Sequence, residues 1–276
     1  MKTDVFPVNY FTNIWTPKRI FRSRKQFKWW QIIFVFLFLH GLMMIPISLH
    51  YATKDTFPIR AYYPKTMGFI DDEIVLLLQD VKVVEGRLIG GVPFQREKED
   101  GIVAFGLSEQ EAREFLDYEY ALLFLDDHFI LKEGDHPVSY IPYTKSFSLH
   151  GVQTVDEFHE VLSRAWLIPN KVYFVSSLTL ITGTIIFIST LFIVFGSALF
   201  LYFTKAGNVS SIRSFKEAIT IIVNCLGIPT FAAMIAGIIH FNVIAMIMMQ
   251  TIGLIFILLA VFFTTQLKDE KANDNV

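Results

Sequence analysis

The chain has little cysteine and little charge. Its single cysteine, Cys225, lies in an apolar stretch, so the chain can form no internal disulfide. Charged residues make up 18% of the 276 residues and hydrophobic ones 53%, a balance typical of membrane proteins rather than of soluble domains. The sequence also lacks a G-x-S-x-G nucleophile elbow, a P-loop and a dinucleotide-binding fingerprint. These absences lower the expectation of an enzyme, although scattered carboxylates can still assemble in space.

The first long apolar run has no charged residue between Trp29 and Leu49. About twenty apolar residues suffice for a helix to cross the roughly 30 Å hydrocarbon core of a bilayer. A secretory signal peptide would have a shorter apolar region followed by a small-residue cleavage site, whereas His50 and Ala52 follow here. We therefore predict an uncleaved transmembrane helix 1 over residues 29–49.

The chain begins with a basic stretch, residues 1–28, whose net charge is +6. Because positive charge is retained on the cytoplasmic side, this amino terminus is predicted to be cytoplasmic. Thr16 and Pro17 suit the start of an amphipathic helix along the membrane surface. Because this basic stretch directly precedes an apolar span, anionic lipid headgroups are favoured over nucleic acid as its partner. The residues predicted to contact headgroups are Lys18, Arg19, Arg22, Arg24, Lys25 and Lys28.

Three more apolar runs complete a bundle of four transmembrane helices. A loop with a net charge of +2 follows the second run, as the positive-inside rule expects of a cytoplasmic loop. Four spans place both termini in the cytoplasm. The predicted segments are transmembrane helix 2 (172–203), a cytoplasmic loop (204–217), transmembrane helix 3 (218–239), transmembrane helix 4 (243–267) and a polar, disordered cytoplasmic tail (268–276).

Between the first two spans, residues 50–171 change to short apolar runs separated by charges and glycines, and residues 50–170 have a net charge of −10. These runs predict strands: EIVLLLQD, VKVVEGRLIGG, GIVAFG, ALLFLDD and HFILKEG. Ser108 with Glu111, and Thr154 with Glu157, have the spacing of capping boxes, the second opening a helix to about Trp166. The predicted fold is an α-helical membrane protein with an extracytoplasmic α+β domain inserted between spans one and two.

Small residues recur every seven positions along the second span. They predict a close-packing face, either inside the bundle or in a homodimer. The face consists of Ser176, Gly183, Thr190 and Ser197.

Few polar residues interrupt the spans. His40, Asn224 and Gln250 are predicted to hydrogen-bond neighbouring helices, with a proton relay through His40 as the alternative.

The predicted domain contains residues of metal-ligand type without a metal-site spacing. They are Asp126, Asp127, His128, Asp135, His136, His150 and His159. A hairpin turn at LDDHF is favoured over a metal site. We predict no catalytic residue, cofactor or metal. Six tyrosines could stack on sugars, but packing is the favoured role: Tyr62, Tyr63, Tyr118, Tyr120, Tyr140 and Tyr143.

Four sequence segments resemble those of a known family: the opening YFTNIWTPKRIFRSR, the end of the first span MMIPISL, and the segments GIVAFG and ALLFLDDHFIL. In these the chain resembles bacterial integral membrane proteins, frequent in Firmicutes, that are labelled maltodextrin-utilisation proteins of the YvdJ type. The resemblance implies a Gram-positive plasma membrane and a link to maltodextrin uptake. It brings no catalytic residues with it.

The sequence therefore predicts a membrane accessory, scaffold or regulatory protein that binds another envelope component. A membrane protein is the expected partner, with subunits of a carbohydrate transport system as the candidate, and homo-oligomers stay open. The first alternative is an autonomous small-solute transporter or channel, against which stand four spans and no visible inverted repeat. The second alternative is an enzyme in the extracytoplasmic domain.

Overall fold

A computed structural model describes residues 5–98, 100–207 and 210–269 of the chain. The chain divides into a helical unit, Met1–Thr53 with Val175–Val276, and a sheet unit, Lys54–Phe174. Most of the predicted tail, residues 270–276, lies outside the described residues.

Helices occupy most of the described chain. In order they are α1 (Val8–Asn13), α2 (Pro17–Arg22), a 3-10 turn (Ser23–Lys25), α3 (Trp29–Ala52), α4 (Ile59–Tyr62), α5 (Pro64–Gly68), α6 (Asp72–Leu78), α7 (Glu109–Phe115), α8 (Val155–Phe203), a second 3-10 turn (Thr204–Gly207), α9 (Phe215–Ile239) and α10 (Val243–Thr265). The strands are β1 (Lys82–Val84), β2 (Arg87–Ile89), β3 (Phe94–Lys98), β4 (Gly101–Leu107), β5 (Tyr120–Leu125), β6 (His128–Glu133) and β7 (Ser139–Pro142).

Four helices, α3, α8, α9 and α10, are long and apolar enough to cross a membrane by length and composition. Helix α8 is longer than the predicted span, because it begins at Val155 and continues through Pro169. The helix predicted from Thr154 and the second apolar run are thus one helix. Pro169 removes one backbone hydrogen bond, but the residues on both sides of it keep helical conformation.

Helix α9 is the most buried of these four helices. Its neighbours approach closely where a side chain is small or absent. A Cβ atom on Gly253 of α10 would lie 2.7 Å from the Pro229 ring of α9, and one on Gly237 of α9 would lie 3.0 Å from Pro46 of α3. The missing side chains therefore let α3 and α10 pack directly on α9.

The sheet unit contains a five-stranded sheet of order β3-β4-β5-β6-β7. Strands β4 and β5 are parallel and are connected through α7, while the other pairs are antiparallel. Helix α7 starts with the predicted capping box, since Ser108 accepts from the Glu111 N–H and Glu111 accepts from that of Ser108. Ala112 of α7 packs with Ile102 and Leu123 of the sheet.

Several predicted turns and strands are confirmed. Strands β1 and β2 form a hairpin across Glu85 and Gly86, both of which have positive φ. GIVAFG lies in β4, and ALLFL and HFILKE lie in the paired strands β5 and β6. The two residues between β5 and β6, Asp126 and Asp127, form the predicted hairpin loop.

The strand predicted at EIVLLLQD is wrong, because residues 73–78 of this run lie in helix α6. The Asp71 side chain accepts a hydrogen bond from the Ile74 N–H and so caps the helix. Ile74, Val75 and Leu78 are buried, the i, i+1, i+4 spacing of a helical face.

Candidate functional site at the basic end of the helical unit

The basic segment, residues 5–28, packs on the helical unit through an apolar face. Helix α2 begins with Pro17 in its first turn, and the Thr16 side chain makes no capping hydrogen bond. Ile20, Phe21 and Phe27 are buried in the same apolar cluster as residues of α3 and α9. The segment is therefore an integral part of the helical unit.

Arg24 lies at the centre of a buried charge cluster, defined here as Arg24, Glu217 and Asp269. The Arg24 side chain is 2% exposed. Its Nε donates to Glu217 Oε2 at 3.3 Å, and its Nη2 donates to Asp269 Oδ1 at 2.5 Å. A third donor, Nη1, reaches the Phe21 carbonyl at 3.0 Å, and the guanidinium lies 4.0 Å from the Phe21 ring centre. This cluster joins the basic segment to the first turn of α9 and to the residues after α10.

Burial raises the pKa of the Asp269 carboxyl, but hydrogen bonds and charge from Arg24 and Lys25 outweigh burial, so this pKa lies below its usual value. The Asp269 N–H also donates to Ser211 Oγ at 3.0 Å. Glu217 accepts from the Arg213 N–H at 3.3 Å, which fixes the second carboxylate. Both anions are therefore held in place by backbone contacts as well as by Arg24.

A second polar contact fastens the same segment to α9. Asn224 Nδ2 donates to Ser23 Oγ at 3.0 Å, and both side chains are buried. Asn224 therefore bonds the 3-10 turn that follows α2.

The predicted headgroup contact is wrong for Arg24, because its guanidinium is enclosed by protein and paired with two carboxylates. Lys18, Arg19, Arg22, Lys25 and Lys28 are all exposed. Lys25 also approaches Asp269 at 3.5 Å. Five cations therefore keep the exposure that headgroup contact requires.

Gln250 of α10 connects three helices. Its Oε1 accepts from Thr190 Oγ1 of α8 at 3.3 Å, and its Nε2 donates to Thr230 Oγ1 of α9 at 2.9 Å. All three residues are buried. The structure thus brings Gln250 together with Thr190, which sequence reasoning assigned to a separate small-residue face.

The small-residue face of α8 is only partly buried. Gly183 and Thr190 are buried, Ser197 is half-buried and Ser176 is exposed. A Cβ atom on Gly183 would lie 2.5 Å from the Met44 sulphur of α3, so this position allows α3 and α8 to approach. The inward face of α8 therefore contains Gly183 and Thr190, while Ser176 takes no part in it.

His40 packs against an aromatic ring. Its imidazole lies edge to face on Phe187 of α8, with ring centres 5.2 Å apart. Within the described residues its buried Nδ1 has no hydrogen-bond partner. The helix-to-helix hydrogen bond predicted for this residue is thus not made at Nδ1.

The residues of metal-ligand type in the sheet unit do not all lie close to one another. Asp127 and His128 form one group with Glu109, a residue that sequence reasoning missed. His159 instead lies buried, with Nε2 3.2 Å from the Met67 carbonyl oxygen. Among the tyrosines, Tyr63 and Tyr143 are buried, while Tyr62 and Tyr140 are about half exposed or more. The sequence offered no signal for Glu109, because its contact with β6 depends on the crossover between β4 and β5.

Comparison with known proteins finds relatives over nearly the whole chain. The Maltodextrose utilization protein MalA of Streptococcus pneumoniae is 28% identical over 266 residues, which cover 96% of this chain and 97% of the relative. The Putative maltodextrin utilization protein YvdJ of Bacillus subtilis is 24% identical over 269 residues, 95% of this chain and 90% of the relative. No family model matches the chain. No solved structure is significantly similar to it. The resemblance read from the sequence is thus confirmed: the chain is a homologue, over nearly its full length, of the proteins named for maltodextrin utilisation.

Proposed function

We propose that the chain is an accessory protein of the bacterial plasma membrane that binds another envelope component, with a maltodextrin transport system as the candidate partner. In this proposal the four apolar helices span the membrane, both termini are cytoplasmic, and the sheet unit is extracytoplasmic. The names of the two relatives support the link to maltodextrin. The positive charge of residues 1–28 supports the orientation.

One observation carries the accessory role: Gln250 and Asn224, two polar side chains of the apolar helices, hold the helical unit together. Gln250 is bonded to Thr190 and Thr230, and Asn224 is bonded to Ser23. A transporter needs polar groups that face a pathway and exchange partners with the solute or ion. Groups that are bonded inside the protein instead favour a fixed scaffold.

The sheet unit and the basic segment differ in charge. The sheet unit, which contributes most of the net charge of −10 over residues 50–170, is the proposed binding surface for a protein partner. The exposed cations Lys18, Arg19, Arg22 and Lys28 are proposed to contact anionic headgroups, each with about 1 kcal/mol of attraction. Binding rather than catalysis is the proposed activity, without nucleic acid as a partner.

The first test is quantitative mass spectrometry of proteins that copurify with the full-length chain from its native membrane in mild detergent. The control is another multi-span protein of similar abundance from the same cells. We expect enrichment of carbohydrate-transporter subunits over this control. Absence of any enriched membrane protein would contradict the proposal.

The second test separates a scaffold from an autonomous transporter. The purified chain is reconstituted in liposomes, and uptake of labelled maltose and of longer maltodextrins is measured against empty liposomes. We expect no uptake above the empty control, since Gln250 and Asn224 are bonded inside the protein. Saturable uptake by the chain alone would overturn the accessory role.

A further inference from the structure

Glu109, Asp127 and His128 converge at one edge of the five-stranded sheet. Strands β4 and β5 are parallel neighbours, so their carboxyl ends lie at the same edge. Glu109 opens α7 shortly after β4 ends at Leu107, and Asp127 and His128 follow β5, which ends at Leu125. The carboxyl ends of parallel strands are the usual place for ligands in α/β sheets.

The backbone fixes each member of this group. The capping box of Ser108 and Glu111 sets the first turn of α7, on which Glu109 lies. The Asp127 carbonyl accepts from the Tyr143 N–H at 3.0 Å. His128 starts β6 and is paired with Pro142 of β7. The three side chains therefore start from anchored positions.

Asp127 determines which nitrogen of His128 is available. The carboxylate Oδ1 of Asp127 lies 2.6 Å from Nδ1 of His128, so Nδ1 carries the proton and donates to the carboxylate. In the neutral ring the other nitrogen, Nε2, then has a free lone pair. In metal sites, the histidine nitrogen that does not bind the metal commonly donates to a carboxylate in this way, and the hydrogen bond orients the ring.

Glu109 faces that lone pair at a distance suited to a shared ion. Nε2 of His128 lies 3.9 Å from Glu109 Oε1, which is too long for a hydrogen bond between them. Two ligands about 2.1 Å from a tetrahedral zinc ion are about 3.4 Å apart, so the exposed Glu109 carboxylate has to approach Nε2 by only about 0.5 Å to share an ion. The His128 side chain is 15% exposed and that of Glu109 is 66% exposed, so an ion could enter and would keep open positions.

The neighbouring aspartate provides a contrast. Asp126 is adjacent in sequence, but its Oδ2 lies 3.6 Å from Arg87 Nε. The two aspartates of the hairpin loop thus have different partners, a cation for Asp126 and the imidazole for Asp127. Only Asp127 contributes to the arrangement around His128.

We propose that Glu109 and His128 bind a divalent transition-metal ion, zinc in the first place, with Asp127 positioning the imidazole. Imidazole nitrogen favours zinc, nickel or copper over calcium and magnesium, which prefer sites made of oxygen atoms alone. Water completes the coordination on the exposed side.

The proposal is tested by isothermal titration of Zn²⁺ into the full-length protein, purified in detergent with an affinity tag that contains no histidine. We expect one ion per chain and no displacement by excess Ca²⁺. His128→Ala and Glu109→Gln should each weaken zinc binding at least about 10-fold, and Asp127→Asn should weaken it by about 10- to 100-fold as loss of an outer-shell partner does.

Asp126→Asn and His136→Ala are the matched controls, and both should bind zinc as the unsubstituted chain does. Thermal unfolding with and without Zn²⁺ provides the second measurement, because zinc that binds the folded state raises the midpoint of unfolding. At one Zn²⁺ concentration the midpoint should rise for the unsubstituted chain and for both controls, and it should rise less for Glu109→Gln. Zinc binding that survives His128→Ala, or that Ca²⁺ displaces equally well, would overturn the proposal.

Discussion

Replacing Arg24 by methionine is expected to destabilise the protein strongly. The guanidinium is 2% exposed and has ionic contacts with Glu217 and Asp269 together with a hydrogen bond to the Phe21 carbonyl. Removing one partner of a buried ion pair costs about 3–5 kcal/mol, because the remaining charge is left buried without compensation. Here that charge is Glu217, whose side chain is 10% exposed, whereas Asp269 at 55% can turn to water.

The double variant Arg24→Met, Glu217→Leu distinguishes a buried charge from lost packing. With both charges removed no buried ion is left unpaired, so most of the lost stability should return. The assay is reversible unfolding of the full-length chain in mixed micelles with increasing SDS, followed by tryptophan fluorescence. Arg19→Met, which removes an exposed cation from the same segment, should change stability by less than about 0.5 kcal/mol. The reasoning is refuted if Arg24→Met costs no more than Arg19→Met, or if the double variant is less stable than Arg24→Met.

Three further predictions concern other parts of the chain. Burial, followed by the charge of Arg60, lowers the pKa of His159 below its usual 6.5. Because the unfolded state then binds the proton first, the free energy of unfolding should fall as the pH drops below about 6.5, by at most about 1.4 kcal/mol per pH unit. In thermal unfolding at pH 7.5 and 5.5, His159→Gln should reduce this pH dependence, whereas His150→Gln, at an exposed position, should leave it unchanged. Gly253→Ala would place a Cβ atom 2.7 Å from the rigid Pro229 ring and should lower the free energy of unfolding by about 1–3 kcal/mol. Gly196→Ala, whose added Cβ has no atom within 4 Å, should be neutral or slightly stabilising in the same SDS titration. Equal losses of stability in the two variants would contradict the packing argument. Gln250→Leu removes two interhelical hydrogen bonds and should lower the free energy of unfolding by only about 1–2 kcal/mol. The loss is small because each threonine hydroxyl can turn to a backbone carbonyl of its own helix. A much larger loss of stability would show that these hydroxyls find no such partner.

Apolar length and capping chemistry made much of the fold predictable from the sequence. The run after Trp29 and the capping box at Ser108 are local signals, and the helices α3 and α7 begin where these signals place them. EIVLLLQD was less predictable, because a short apolar run fits either a strand or a helix. The Asp71 cap decided between them.

The buried charge cluster could not be predicted in the same way. The six cations from Lys18 to Lys28 look equivalent in the sequence, but α2 ends at Arg22 and a 3-10 turn follows. This change of helical pitch brings Ser23 and Arg24 to the buried side, while Arg22 and Lys25 stay exposed. The partners of Arg24 lie 193 and 245 residues further along the chain, a separation at which sequence periodicity carries no information.

Those separations have a consequence for synthesis of the protein. When the ribosome has made the first span, Arg24 has neither of its carboxylates, because Glu217 and Asp269 are not yet translated. In the proposed topology the guanidinium then remains hydrated beside the other cations, where it adds to the positive charge that would orient the first span. In the same proposal it is withdrawn from water only after the last span has been inserted and Asp269 has been made. Arg24 would thus contribute first to the orientation of the first span and later to the packing of the finished helical unit.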